Sequence, residues 1–236
     1  MPATVQFEQN WWSPNTIGYE AAWEYQRELH ARRVAEEIPD TVLYLEHDSI
    51  YTAGKRTEPH ERPTDGSKVI DVDRGGKITY HGPGQLVVYP IVKLPEHVGV
   101  VDYVRRLEEA MIRAIGEFGV QSGRIPGRSG TWLAADDRGP ERKIGAIGIR
   151  VAQNVTMHGL SLNTNPDMSY YDRIVACGIA DAGVTSLERE IGRIVTPKEL
   201  SESLTPHLLE MLKWEPYEPS IDVGAPSTQI RVLGVG

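Results

Sequence analysis

Only one cysteine occurs in the 236 residues, so no disulfide can close within the chain and its stability must come from elsewhere. Cys177 is then either a small buried hydrophobe or a reactive centre, and burial is the commoner fate of a free thiol. Aromatic residues are scarce at 7%, with two Phe, which leaves the core to Val, Ile, Leu and Ala. No apolar run approaches the eighteen residues of a membrane span, and the first eight residues have neither the charged nor the apolar region of an export signal. Positive charge is in deficit, with 25 Lys and Arg against 33 Asp and Glu and a net charge of -8. Nucleic acid and anionic membrane are therefore not expected as partners, although an acidic protein can still dock on a local basic patch. An unpaired thiol in such a chain fits a reducing cytoplasm.

The length suits one domain, residues 1–214, followed by a tail at 215–236 that is rich in proline and glycine. Apolar residues at helical spacing predict amphipathic helices over residues 19–37, ended by Pro39, and over 101–118, with Gly119 as cap. Thr196-Pro197-Lys198-Glu199 has the form of a capping box and starts a third helix, kinked or restarted at Pro206 and ending near Trp214. Strands are predicted at 41–46, 50–53, 69–73, 86–94, 121–125 and 131–135, with a closing strand at 229–233. Between the second and third of these, a loop opens on Lys55 and Arg56, which either meet an anionic substrate or are solvated charge.

Two glycine-marked segments stand out. Arg74-Gly75-Gly76-Lys77-Ile78-Thr79-Tyr80-His81-Gly82-Pro83-Gly84-Gln85 brackets a short strand with glycine pairs, the pattern of a ligand-lining hairpin or of plain tight turns. It is neither a P-loop nor a dinucleotide fingerprint. Residues 143–151 read as a strand relieved by Gly145 and Gly148, and residues 155–163 as its antiparallel neighbour across Gln153-Asn154. Glycine inside strands gives up packing, so these strands are expected to keep space for something lying against the sheet.

Taken together, three segments resemble the lipoyl(octanoyl) transferases. They are residues 74–85, Lys143-Ile144-Gly145-Ala146-Ile147-Gly148 with His158-Gly159-Leu160-Ser161-Leu162-Asn163, and Ala176-Cys177-Gly178-Ile179 followed by Val184-Thr185-Ser186-Leu187. The resemblance spans residues 17–213. It implies an α/β domain like the catalytic domain of biotin and lipoate protein ligases: a mixed, mostly antiparallel sheet flanked by helices, with a smaller second sheet. It also implies that Cys177 is the nucleophile and that Lys143 lowers its pKa and relays protons. Arg74, Gly75, Gly76, Lys77, Ile78, Thr79, Tyr80, His81, Ala146, Ile147, Gly148, His158, Gly159, Leu160 and Ser161 would line the substrate site. His81 and His158 either position the thioester or satisfy backbone groups. One departure is Ala176, where the family often has proline; it removes a backbone restraint and no reactive group.

The expected activity is octanoyl (or lipoyl) transfer from acyl carrier protein to a lysine of lipoyl domains, in 2-oxoacid dehydrogenase complexes and the glycine cleavage H protein. No cofactor and no metal are expected. Three other readings stand beside it. An ATP-dependent lipoate or biotin ligase of the same fold needs no cysteine, a non-catalytic acyl-binding protein would bury Cys177 unreactive, and a zinc site from His81, His158 and Cys177 lacks the usual short ligand spacing.

Overall fold

Two short apolar runs make the centre of the fold, β2 (Asp40–Leu45) and β6 (Gln85–Ile91), which pair antiparallel and are buried along their whole length. Alternate side chains point to opposite faces of a strand. Val42, Tyr44, Leu86 and Val88 thus join one core, whereas Leu43, Leu45, Val87 and Tyr89 join another. Because both faces are covered, these strands read as continuous apolar runs and not as alternating ones. The computed structural model describes residues 5–175 and 182–223.

The remaining elements are β1 (Val5–Trp11), α1 (Tyr19–Val34), β3 (Ile50–Ala53), β4 (Val69–Asp71), β5 (Thr79–His81), α2 (Val100–Gly116), β7 (Gly123–Ile125), β8 (Arg128–Leu133), β9 (Arg142–Ala152), β10 (Val155–Asn163), β11 (Gly183–Val184), α3 (Leu187–Ile191) and α4 (Pro197–Met211). The large sheet runs β1-β2-β6-β10-β9-β8-β7, with β11 also on β9; β4-β3-β5 form a second, three-stranded sheet. Pairing in the large sheet is antiparallel except for β1 on β2 and β11 on β9. Helices α2 and α4 cover one face, with Leu107, Met111 and Ile115 packed beside Leu200, Leu204 and Leu208. Helix α1 covers the other through Ala22 and Leu29. This is the mixed α/β architecture that the family resemblance implies, with the smaller sheet beside the larger.

Several local expectations need correction. Helix α1 stops at Val34, before Pro39 is reached. Glu36 takes φ +61, and the N–H groups of Glu36 and Glu37 return to the carbonyls of Arg33 and Arg32. That is a Schellman stop, here made without glycine. Helix α4 starts as expected, with Thr196 accepting from the Glu199 N–H at 3.1 Å. It runs on through Pro206, and Pro206 and Glu202, four residues earlier, are both exposed, on the side of the helix away from the core. The glycine-bracketed segment is not a hairpin: β5 belongs to the small sheet and β6 to the large one, so Gly82–Gly84 carries the chain between sheets. Residues 187–191, where periodicity signals no element, form α3, started by Ser186, whose hydroxyl accepts from Arg189 N–H. The expected strand at 229–233 lies outside the described residues.

The strand glycines do keep space, but the protein's own atoms occupy much of it. A methyl at Gly145 would overlap Met111 and Leu162, one at Gly148 would meet Arg74 Cδ at 2.9 Å, and one at Gly159 would overlap the Val88 carbonyl. The last neighbour is backbone in the central strand and cannot step aside. Gly159→Ala is therefore expected to cost at least about 2 kcal/mol, a fall of about 4–8 °C in Tm, read by thermal melting; an unchanged Tm would contradict this packing.

Candidate active site

Between the α1 face of the large sheet and the small sheet lies a cavity of about 250 Å³. Its deep wall is built from buried polar side chains, Tyr19 of α1, His81 of β5, Tyr89 of β6 and His158 of β10. Exposed Arg56, Gly127 and Ser129 border it on the solvent side. Of the residues expected to line a substrate site, Arg74, Gly76, Lys77, Thr79, His81, Ala146, Ile147, Gly148, His158, Gly159, Leu160 and Ser161 line this cavity, together with Lys143.

Gly75, Ile78 and Tyr80 do not line it. Strand alternation explains the split: Thr79 and His81 face the cavity, while Tyr80 turns to the opposite side and stacks on Tyr170, 4.5 Å between ring centres. Ile78 is fully buried in the cluster of Tyr51 and Tyr80. Gly75 donates to the Ile149 carbonyl at 2.9 Å and so fastens the 74–77 loop to β9. Sequence reasoning passed over Tyr19, Tyr89 and Arg128, because a tyrosine within a helical stripe or an apolar strand gives no signal of facing a cavity.

Lys143 reaches this wall through an irregularity in β9. Lys143 pairs with Trp132 and Gly145 with Thr131, so β9 carries one extra residue, Ile144, against β8. Counted as a regular strand, Lys143 would share a face with Gly145, and Gly145 packs against Met111 of α2. The bulge turns Lys143 onto the face of Ala146 and Gly148, which is the cavity side. There Lys143 is buried, 7% exposed. Among the described residues its ammonium lies over the Trp132 ring, 4.7 Å from the ring centre, and not against a carboxylate.

His81 and His158 are held by side chains, not by backbone carbonyls. His81 Nδ1 lies 2.7 Å from Gln85 Oε1. His158 Nε2 lies 2.8 Å from Asp73 Oδ1, and its backbone N–H donates to Gln26 Oε1 at 2.8 Å. His158 has φ +57, a rare left-handed conformation inside a strand, and this turns its ring toward Tyr19 and Trp23 of α1. A third histidine, His47, completes the group, bonded to Tyr89 Oη at 2.7 Å and to the Ile17 carbonyl at 2.9 Å. Burial pushes all three down from the usual imidazole value, His47 and His158 to about 4 and His81 also well below it, with repulsion from neighbouring His47 adding to the last. They are neutral at pH 7. Among the described residues no group of three or more His, Cys, Asp or Glu could hold a metal ion.

Arg74 braces the loop from below, donating to the carbonyls of Thr52, Gly75 and Lys77 and to the Thr52 hydroxyl, all within 2.8–2.9 Å. Cys177 itself, with Ala176, Gly178 and Ile179, lies outside the described residues. The described chain on either side is tied to the site. Val184, seven positions after the cysteine, is the strand partner of Lys143, and the Thr185 N–H donates to the Lys143 carbonyl at 2.9 Å. Asn163 accepts from Tyr171 Oη on one side and donates to the Thr185 carbonyl on the other.

A family model described as lipoyl protein ligase A/B catalytic domain matches residues 18–209. The chain belongs to this family. Within the lipoyl protein ligase A/B family it is 63% identical over 198 residues to a protein of Salinispora tropica named octanoyltransferase, covering 84% of this chain and 93% of that one. It is 57% identical over 221 residues to another of that name from Thermobifida fusca, covering 92% and 94%. Among solved structures, one described as a bipartite lipoate protein ligase and its E2 lipoyl domain from Thermoplasma acidophilum superposes with a TM-score of 0.64 over 90% of this chain and 84% of that one. Sequence identity there is 13%, so that likeness speaks for the fold alone.

The neutral histidines predict a pH dependence of stability. Their folded pKa values lie below the unfolded value near 6.5, so the unfolded chain binds more protons between about pH 6.5 and 4. Their contribution is complete above that window and is lost as pH falls through it. Tm is expected to drop by about 5 °C or more between pH 7 and pH 5, and less steeply in His47→Gln; equal slopes would contradict the assignment.

Proposed function

We propose that this protein transfers an octanoyl group from acyl carrier protein to the ε-amine of a specific lysine in lipoyl domains, in the biosynthesis of protein-bound lipoate. Relatives named octanoyltransferase at 57–63% identity over most of the chain support octanoyl transfer. The observation that carries the chemical reading is the bulge-directed Lys143, a buried ammonium on the wall of an acyl-sized cavity.

The reaction runs in two halves. Cys177 thiolate attacks the thioester carbonyl of octanoyl carrier protein, the tetrahedral intermediate collapses, and the carrier's thiol leaves with a proton while octanoyl stays on sulfur. The acceptor lysine amine then attacks this second thioester, the Cys177 sulfur leaves, and an amide remains. Lys143 favours the thiolate by its charge and exchanges the protons released and required in each half. Its seat over an aromatic face, without a carboxylate partner among the described residues, leaves the ammonium available for both roles. Backbone N–H groups of the glycine-marked strands are candidates for holding each oxyanion. The expected acceptors are lipoyl domains of 2-oxoacid dehydrogenase complexes and the glycine cleavage H protein, and the expected compartment is the cytoplasm. Among the described residues no helix is long and apolar enough to cross a membrane.

Intact-mass spectra after exposure to octanoyl carrier protein should show one octanoyl adduct on the wild type and none on Cys177→Ala. An adduct on the alanine variant would sink the nucleophile assignment. Lys143→Ala should lower kcat for transfer to a lipoyl domain by about 10²-fold or more, while a wild-type rate would remove Lys143 from the mechanism.

A further inference from the structure

Helix α2 buries two consecutive carboxylates, Glu108 and Glu109, both fully inaccessible. Burying carboxylates is costly unless every oxygen is satisfied. The role of Glu109 is evidently structural, since it accepts from Arg113 and Arg124 and from Ser220, and so straps the chain at 218–223 onto α2 and β7. Glu108 does something different. One oxygen takes Arg105 at 2.7 Å and faces Arg124 Nε at 3.3 Å, while the other accepts the backbone N–H of Gly130 at 2.9 Å.

Gly130 sits where the irregular pairing of β8 with β9 begins. Its φ is +98, a methyl there would overlap the Gly145 carbonyl, and it would also stand 3.4 Å from Lys143 Cε. Gly130 is thus pressed against both the bulged backbone of β9 and the aliphatic stem of Lys143. A bulge interrupts the ladder, and a backbone N–H beside it needs another acceptor. Glu108 supplies one from the far side of the sheet. We propose that Glu108 is a positioning residue for Lys143: by holding Gly130 it maintains the bulge that turns the ammonium onto Trp132 and into the cavity. The proposal rests on the reading that Lys143 serves the transfer, but the placement of the side chain is separately observable.

The test compares Glu108→Ala with Glu109→Ala, a neighbour in the same ion-pair cluster that does not touch Gly130. Both should melt at lower temperature. At a temperature where both are folded, Glu108→Ala should lose at least tenfold in kcat with KM for octanoyl carrier protein changed less than threefold, and Glu109→Ala should stay within threefold in both. Independently of activity, ¹³C-methylation of the lysines, with the Lys143 signal assigned by its loss in Lys143→Arg, reports the ring-current displacement from Trp132. That displacement should vanish in Glu108→Ala and persist in Glu109→Ala. If Glu108→Ala does not fold, Glu108→Gln, with one oxygen for three donors, should show at least a threefold loss of kcat and a reduced displacement. A folded Glu108 variant with the wild-type Lys143 signal overturns the proposal, as does equal loss in the Glu109 variant. A wild type that transfers no octanoyl while the Lys143 signals behave as expected would instead overturn the proposed function.

Discussion

A strand can show each side chain to only one face of its sheet, and β9 has obligations to both. Its inner face must pack on α2, where Ile144 is fully buried and Gly145 abuts Met111. Its outer face forms the cavity floor with Ala146 and Gly148. One added residue reconciles the two by shifting the parity, so that Lys143 arrives on the side where the chemistry is proposed. The rest of the site follows from that shift: Trp132 beneath the ammonium, β11 beside it, and the flanks of residues 176–181 tied to the same neighbourhood.

The electrostatics of the cavity are arranged by subtraction. Beside the cations Arg56, Arg74, Lys77, Arg128 and Lys143, three imidazoles and two phenols line or underlie it, and burial keeps the imidazoles neutral. Burial likewise raises the phenol of Tyr19 to about 12, and it raises that of Tyr89 well above the usual value. Arg74 directs four of its bonds to backbone carbonyls and a hydroxyl of its own loop and of β3. Neutral imidazoles and phenols suit an acyl chain better than charged ones would, since those groups carry no ion to be desolvated when the chain enters.

Much of this was legible in the residues. The strands β2, β6, β9 and β10, the pairing of the last two, the stripe of α2 and the start of α4 follow from period and capping. The lining segments were recognisable from their glycines and from the family resemblance. What escaped was set by tertiary contact. Alternation within β5 sent Tyr80 away from the cavity, a left-handed stop ended α1 early, and the exposed side of α4 accommodated Pro206. Tyr19 and Tyr89 looked like core because chemically they are core residues whose outer edge meets a cavity. The parity shift at Ile144 is invisible to periodicity, since nothing in Lys143-Ile144-Gly145 announces that two neighbours share a face.

Arg74 has a further consequence for how a substrate arrives. Its guanidinium fastens the 74–77 loop to β3, and Gly75 fastens the same loop to β9, with the arginine stem filling the hollow left by Gly148. The small sheet is in this way mortared to the large one at the cavity's base. A chamber with a cemented floor does not open like a clam. For the acyl transfer proposed above, that leaves the solvent-side border at Arg56, Gly127 and Ser129 as the edge at which a chain and its carrier would meet the cavity.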